Sequence, residues 1–191
     1  MQQKGFYIVN AITIYRLLMT PVLVYLIFNG RLQIFAIMLT ISFFSDLVDG
    51  ILARYFKVSS IWGSRLDSIA DDLTIVSAMI AMFEFKFFFI KDQLMIFILL
   101  FILYVIQNVS ALIKYKKLSS FHTYSAKVAA LFQGVFLILL FFLEEPPYLL
   151  FYLAISLTAL DLLEEIILVY MLPQWETDIK GIYWVYRRNR M

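Results

Sequence analysis

Six apolar stretches, each long enough to cross a bilayer and separated only by short polar segments, constrain this chain more than any other feature. A hydrocarbon core of about 30 Å needs about 20 mostly apolar residues in a helix. The stretches run over roughly 12–29, 32–50, 66–90, 93–113, 125–143 and 147–172. Between them lie Asn29-Gly30-Arg31, the segment from Arg54 to Arg65, Lys91-Asp92, the segment from Lys114 to Tyr124, and Glu144-Glu145-Pro146-Pro147. The expectation is an all-α polytopic membrane protein with six transmembrane helices, residues 1–191 forming a single membrane domain without internal repeats.

Composition excludes the alternatives. Hydrophobic residues make up 63% of the chain and charged ones 16%, with a mean hydropathy of +0.86, whereas soluble domains are about 45–50% apolar. Disorder needs low hydrophobicity and high net charge, and the net charge is +2. There is no cysteine, and His122 is the single histidine. A disulfide scaffold, a thiolate metal site and a Cys/His hydrolase are therefore excluded, and any metal must sit on oxygen. The opening residues, MQQKGFYIVN, lack the basic start and small-residue cleavage site of a signal peptide, so no removed leader is expected. No nucleic-acid partner is expected either.

Cytoplasmic flanks of membrane spans carry an excess of lysine and arginine. With the N-terminus inside, thirteen of the sixteen cations fall inside: Lys4, Arg16, Arg54, Lys57, Arg65, Lys114, Lys116, Lys117, Lys127, Lys180, Arg187, Arg188 and Arg190. Arg31, Lys86 and Lys91 fall outside. Both termini are expected to be cytoplasmic. The stretch Lys180 to Arg190 mixes aromatics with cations and reads as an interfacial anchor to anionic lipid.

Ionisable residues within spans are expensive and mark functional sites. Asp46, Asp49, Gly50, Ala53 and Arg54 close the second span; eight residues later Gly63, Asp67 and Asp71 open the third. Spacings of three and four put Asp46, Asp49 and Ala53 on one helix face and Gly63, Asp67 and Asp71 on one face of the next. The second span runs inward and the third returns, so all four aspartates lie within about two turns of one membrane boundary. Four carboxylates in a partly desolvated pocket raise one another's pKa unless positive charge joins them. Divalent cations on oxygen ligands answer that need, and two of them suit in-line phosphoryl displacement. Gly50 and Gly63 leave room for a phosphate or nucleotide to approach the backbone. Helix-end charges complementing the dipole, or an Asp46–Arg54 pair, account for one or two of these aspartates but not for four at one depth.

These residues resemble the CDP-alcohol phosphatidyltransferases. The family signature, Asp-x2-Asp-Gly-x2-Ala-Arg-x8-or-9-Gly-x3-Asp-x3-Asp, stands complete as Asp46, Asp49, Gly50, Ala53, Arg54, Gly63, Asp67 and Asp71. Asn10, Thr13, Arg16 and Pro21 resemble the stretch common before the first span of the family, and six spans match its architecture. The resemblance implies that Asp46, Asp49, Asp67 and Asp71 hold two Mg²⁺ or Mn²⁺ ions, with Asp71 also the general base on the acceptor hydroxyl. Gly50, Ala53, Arg54 and Gly63 would shape the pocket for the cytidine diphosphate part of the lipid. The implied reaction moves the phosphatidyl group of CDP-diacylglycerol to a small alcohol with release of CMP. It implies a homodimer among membrane lipids, with the active site facing the cytoplasm of, by expectation, a bacterial inner membrane.

The acceptor is less determined. Enzymes resembling the glycerophosphate branch usually place lysine directly after the last aspartate, where this chain has Asp72. Glycerol 3-phosphate remains the first expectation, with inositol phosphate, phosphatidylglycerol, serine or an amino alcohol as alternatives. Lys127, early in the fifth span, is a candidate contact for an anionic acceptor, against a reading in which it snorkels to the interface. Lys114, Lys116 and Lys117 read as positive-inside residues. Arg16 lies inside the first span and should face something polar, and His122 has no paired acid. The sixth span adds Asp161, Glu164 and Glu165, within i, i+4 reach of one another. Either the span ends early, or these acids face a water-filled interface, or Asp161 or Glu165 faces the cytoplasmic cavity, where an unpartnered acid is costly and is expected to pair with a cation, Lys127 being the best candidate. Gln107, Asn108, Ser110 and Gln133 line the same cavity or bond across helices. The rival classes are a divalent-cation transporter and a catalytically silent scaffold; transporters place their sites near the midplane.

Overall fold

The computed structural model describes residues 2–56, 61–117, 119, 121, 123–177 and 179–188, with the backbone alone at 2–6, 8, 9, 53, 54, 61–65 and 68. All regular structure among them is helical: α1 Gln2–Phe28, α2 Leu32–Phe56, α3 Ile61–Phe85, α4 Phe87–Asp92, α5 Leu94–Tyr115, α6 Tyr124–Phe142, α7 Tyr148–Met171 and α8 Ile182–Arg188. Four are apolar and long enough to cross a membrane, over Asn10–Phe28, Leu32–Leu52, Leu94–Tyr115 and Tyr124–Phe142. The two other long helices carry acids, Asp67, Asp71, Asp72 and Glu84 in α3 and Asp161, Glu164 and Glu165 in α7. These acids lower the mean hydropathy of both helices.

Helix ends depart from the apolar stretches. The helix expected over 66–90 instead begins at Ile61 and ends at Phe85, with α4 following after Lys86. Hydropathy locates the part of a helix that lipid tolerates, while backbone hydrogen bonding carries the helix onward into polar sequence. At 1.5 Å per residue α2 and α3 are each about 37 Å long, against a core of about 30 Å. Asp46 and Asp49 thus lie about 15 and 10 Å from the end of α2.

The chain divides into two compact units, Met1–Ile90 and Lys91–Met191. In the first, α1 packs against α2 and α3, with Leu23, Ile27, Phe35, Ala36 and Leu39 buried. On α3 the buried positions Ala70, Thr74, Ser77, Ala78 and Ala81 recur at helical spacing and are small, which lets backbones approach closely, and the larger Met82 is buried beyond them. The α1–α2 turn is a Schellman motif: Gly30 takes φ 66°, its amide bonds the Ile27 carbonyl at 3.0 Å, and the Arg31 amide bonds that of Leu26 at 3.0 Å. Glycine carries the left-handed φ without steric cost. Pro21 sits inside α1 and has no N–H for the carbonyl one turn earlier.

In the second unit α7 packs against α5, α6 and α8. Its inner layer includes Ala111, Phe121, Leu168, Val169, Leu172, Ile179 and Val185. Phe151 stacks at 5.6 Å on Phe97 and 5.4 Å on Phe136. Lys114 Nζ donates to the carbonyls of Val169 and Tyr170 at 2.9 and 3.2 Å, and the Tyr115 hydroxyl to those of Val169 and Leu172. Side chains of α5 thereby satisfy the open carbonyls at the end of α7.

Candidate active site

Helices α1, α2 and α3 of the first unit deliver charged side chains to one point. Arg16 of α1 is 2% exposed. Its Nη1 donates to Asp46 at 2.8 Å, Asp67 at 2.9 Å and Asp49 at 3.4 Å, and its Nη2 donates to Asp71. Asp46 and Asp49 stand one turn apart on α2, and Asp67 and Asp71 one turn apart on α3. The four aspartates placed at one depth by helical spacing therefore meet. Carboxylate oxygens of Asp46, Asp49 and Asp67 lie within 4.8 Å of one another. Asp49 is buried, whereas Asp46, Asp67 and Asp71 are 42%, 37% and 43% exposed. The cluster has a closed floor and an open rim.

Among the described side chains one guanidinium faces four carboxylates, so negative charge is in excess there. Arg16 Nε is also buried without a partner among the described residues, as is Ser42 Oγ, and an unsatisfied buried donor costs roughly 1–3 kcal/mol. The hydroxyls of Thr20, Thr74 and Ser77 donate to carbonyls of their own helices, which leaves the carboxylates to the arginine. Oxygen-only donors, excess negative charge and an open rim fit a hard divalent cation.

A model of the CDP-alcohol phosphatidyltransferase family matches residues 6–169. The chain belongs to this family. This CDP-alcohol phosphatidyltransferase is accordingly a transferase of substituted phosphate groups in phospholipid biosynthesis, an integral membrane protein that uses a CDP-alcohol donor and an alcohol acceptor. The family is generally divalent-metal dependent, and Asp46, Asp49 and Asp67 are able to hold such an ion. No solved structure matches the chain.

In this phosphatidyltransferase Gly50 lies in α2 directly after Asp49; Ala53 and Arg54 continue that helix and Gly63 opens α3, with only backbone described at the last three. His122 lies outside the described residues, as do Lys57 and Arg190. The sequence marks Arg16 as a cation inside a span and as part of the stretch that resembles the one common before the family's first span; the demand of four acids for a counter-charge is the signal that ties it to them.

The acids of α7 correct one expectation. Lys127 is exposed, with its ammonium 5.4 Å from the ring of Tyr124, and among the described residues it forms no ion pair with Asp161 or Glu165. Neutral donors take these carboxylates instead. Asp161 accepts from Thr123 at 2.9 Å and Ser125 at 2.8 Å; Glu165 accepts from Gln107 at 2.6 Å and Ser119 at 2.8 Å. Glu164 accepts from Ser125 and, at 2.9 Å, from the Ile182 amide. Thr123 also caps α6 through the Ala126 amide at 3.1 Å. Hydroxyls next to the helix start reach the acids first, and Lys127 points back over its own helix. Gln133 likewise bonds across helices, to Thr158 at 2.6 Å. Of the other cations, Lys117 lies over Trp175 at 4.4 Å and Arg188 grips both oxygens of Glu176 at 2.7 and 2.9 Å.

Proposed function

We propose that this chain transfers the phosphatidyl group of CDP-diacylglycerol to a small alcohol and releases CMP, with glycerol 3-phosphate the first acceptor to test. The observation that carries the reading is the meeting of Asp46, Asp49, Asp67 and Asp71, from two helices, around one buried cation. Asp46, Asp49 and Asp67, with Asp71 completing the set, hold Mg²⁺ or Mn²⁺. When bound, the metal neutralises charge developing on the pyrophosphate oxygens. Asp71, on the open rim and met by the other guanidinium nitrogen, takes the proton of the acceptor hydroxyl. Asp49 anchors the floor, and Gly50, Ala53, Arg54 and Gly63 shape the nucleotide pocket. Lys127 contacts the acceptor.

The same reading has residues 1–191 working as one membrane domain of six spans, with both termini and the active site on the cytoplasmic side of a bacterial inner membrane, and the protein acting as a homodimer. Asp72 in place of lysine keeps inositol phosphate, phosphatidylglycerol, serine and amino alcohols open as acceptors. The test supplies labelled CDP-diacylglycerol with each alcohol in turn and identifies the lipid product alongside released CMP. CMP release that ignores the alcohol supplied counts against the transfer.

A further inference from the structure

The buried arginine goes beyond the reaction itself. Arg16 is the sole described side chain that touches all four aspartates, it does so from a third helix, and it is almost wholly buried. Three carboxylates share its Nη1, while its Nε has no hydrogen-bond partner among the described residues. A guanidinium built for paired, forked contacts is here crowded at one corner and idle at another, which marks an arrangement set by the carboxylates' need for charge.

We infer that Arg16 is an internal counter-cation that holds the four aspartates together in the metal-free protein and competes with divalent cations for them. The inference rests on the metal reading of the same aspartates. With one positive charge against four negative among the described side chains, the cluster stays assembled but undercharged, and divalent ions arriving through the open rim take over carboxylate oxygens that the guanidinium now holds. Arg16 then becomes a positive charge beside positive charges. Its effect on metal affinity is therefore unfavourable, while its effect on the empty site is favourable. A residue that merely shaped the ligands would do the reverse, since its loss would scatter the carboxylates and weaken metal binding. The two roles differ in sign.

The experiment measures Mn²⁺ binding by calorimetry, and thermal unfolding with and without Mn²⁺, on metal-stripped full-length protein in detergent. Arg16→Met should bind Mn²⁺ roughly tenfold or more tighter than wild type. It should unfold at a lower temperature when metal-free, and Mn²⁺ should close that gap. Arg16→Lys, which keeps the charge but not the fork, serves if the methionine variant does not fold; it should bind Mn²⁺ more tightly than wild type by a smaller factor. A folded variant that binds Mn²⁺ no more tightly than wild type overturns the counter-cation role and leaves the metal site standing. Wild-type protein that takes up no Mn²⁺, with Asp49→Asn behaving identically, overturns both.

Discussion

Glu164 occupies the space that a side chain on Gly181 would need. A Cβ at Gly181 would stand 2.7 Å from Glu164 Oε1, the oxygen that accepts the Ile182 amide at 2.9 Å, and the Gly181 backbone sits at φ 143°. The backbone angle favours glycine there, and a Cβ would in addition push the Glu164 carboxylate off the Ile182 amide. The contact joins α7 to the start of α8, beside the bond from the Ile179 amide to the Phe121 carbonyl at 2.7 Å.

Gly181→Ala should therefore displace Glu164 and loosen α8, at a cost of about 1–3 kcal/mol. Thermal unfolding and the rate of tryptic cleavage after Arg187 and Arg188 report it. An unchanged melting temperature and an unchanged cleavage rate would mean that α8 docks without this contact.

Asp71→Asn should lower turnover about a hundredfold or more while keeping much of the CDP-lipid affinity. Asp46→Asn and Asp67→Asn should weaken Mn²⁺ binding itself. Calorimetric titration of metal and lipid separates the two classes, and an Asp71→Asn protein with near wild-type turnover removes Asp71 from the proton transfer.

Chelation should abolish CMP release, and added Mg²⁺ or Mn²⁺ should restore it. The decisive control is metal analysis of the stripped protein. Full activity in a preparation shown to be free of divalent ions would end the metal reading.

Asp161→Asn and Glu165→Gln should lower the melting temperature and alter the apparent KM of donor and acceptor alike, because these acids fasten hydroxyls and an amide instead of orienting Lys127. Thr123→Ala, which loses both the α6 cap and the bond to Asp161, should cost about 1–2 kcal/mol. A rise confined to the acceptor KM would return these acids to the acceptor site.

How far the sequence reveals all this depends on the range of each interaction. Asp46, Asp49, Asp67 and Asp71 are legible because helical spacing of three and four fixes a face, and a short connection fixes two faces at one depth. Arg16 is harder: its partners lie 30 to 55 residues away, and only the charge deficit points to it. Glu164 is harder still, since one of its two partners is the backbone amide of Ile182, which no side-chain pattern encodes. Asp161 misleads for a related reason. A carboxylate in an apolar helix suggests a cation, yet two hydroxyls of the preceding loop and helix start satisfy it as well.

The tight α1–α2 turn bears on how the protein is made. Translation delivers Arg16 before any of the four aspartates, and chains fold from the N-terminus as they emerge. The Asn29–Arg31 turn then closes a helical hairpin in which Asp46 and Asp49 arrive against a cation already in place, and α3 brings Asp67 and Asp71 to a pair charged to receive them. A permuted gene that began at α2 should therefore deliver those carboxylates ahead of their counter-charge, and its product is expected to insert into the membrane less efficiently.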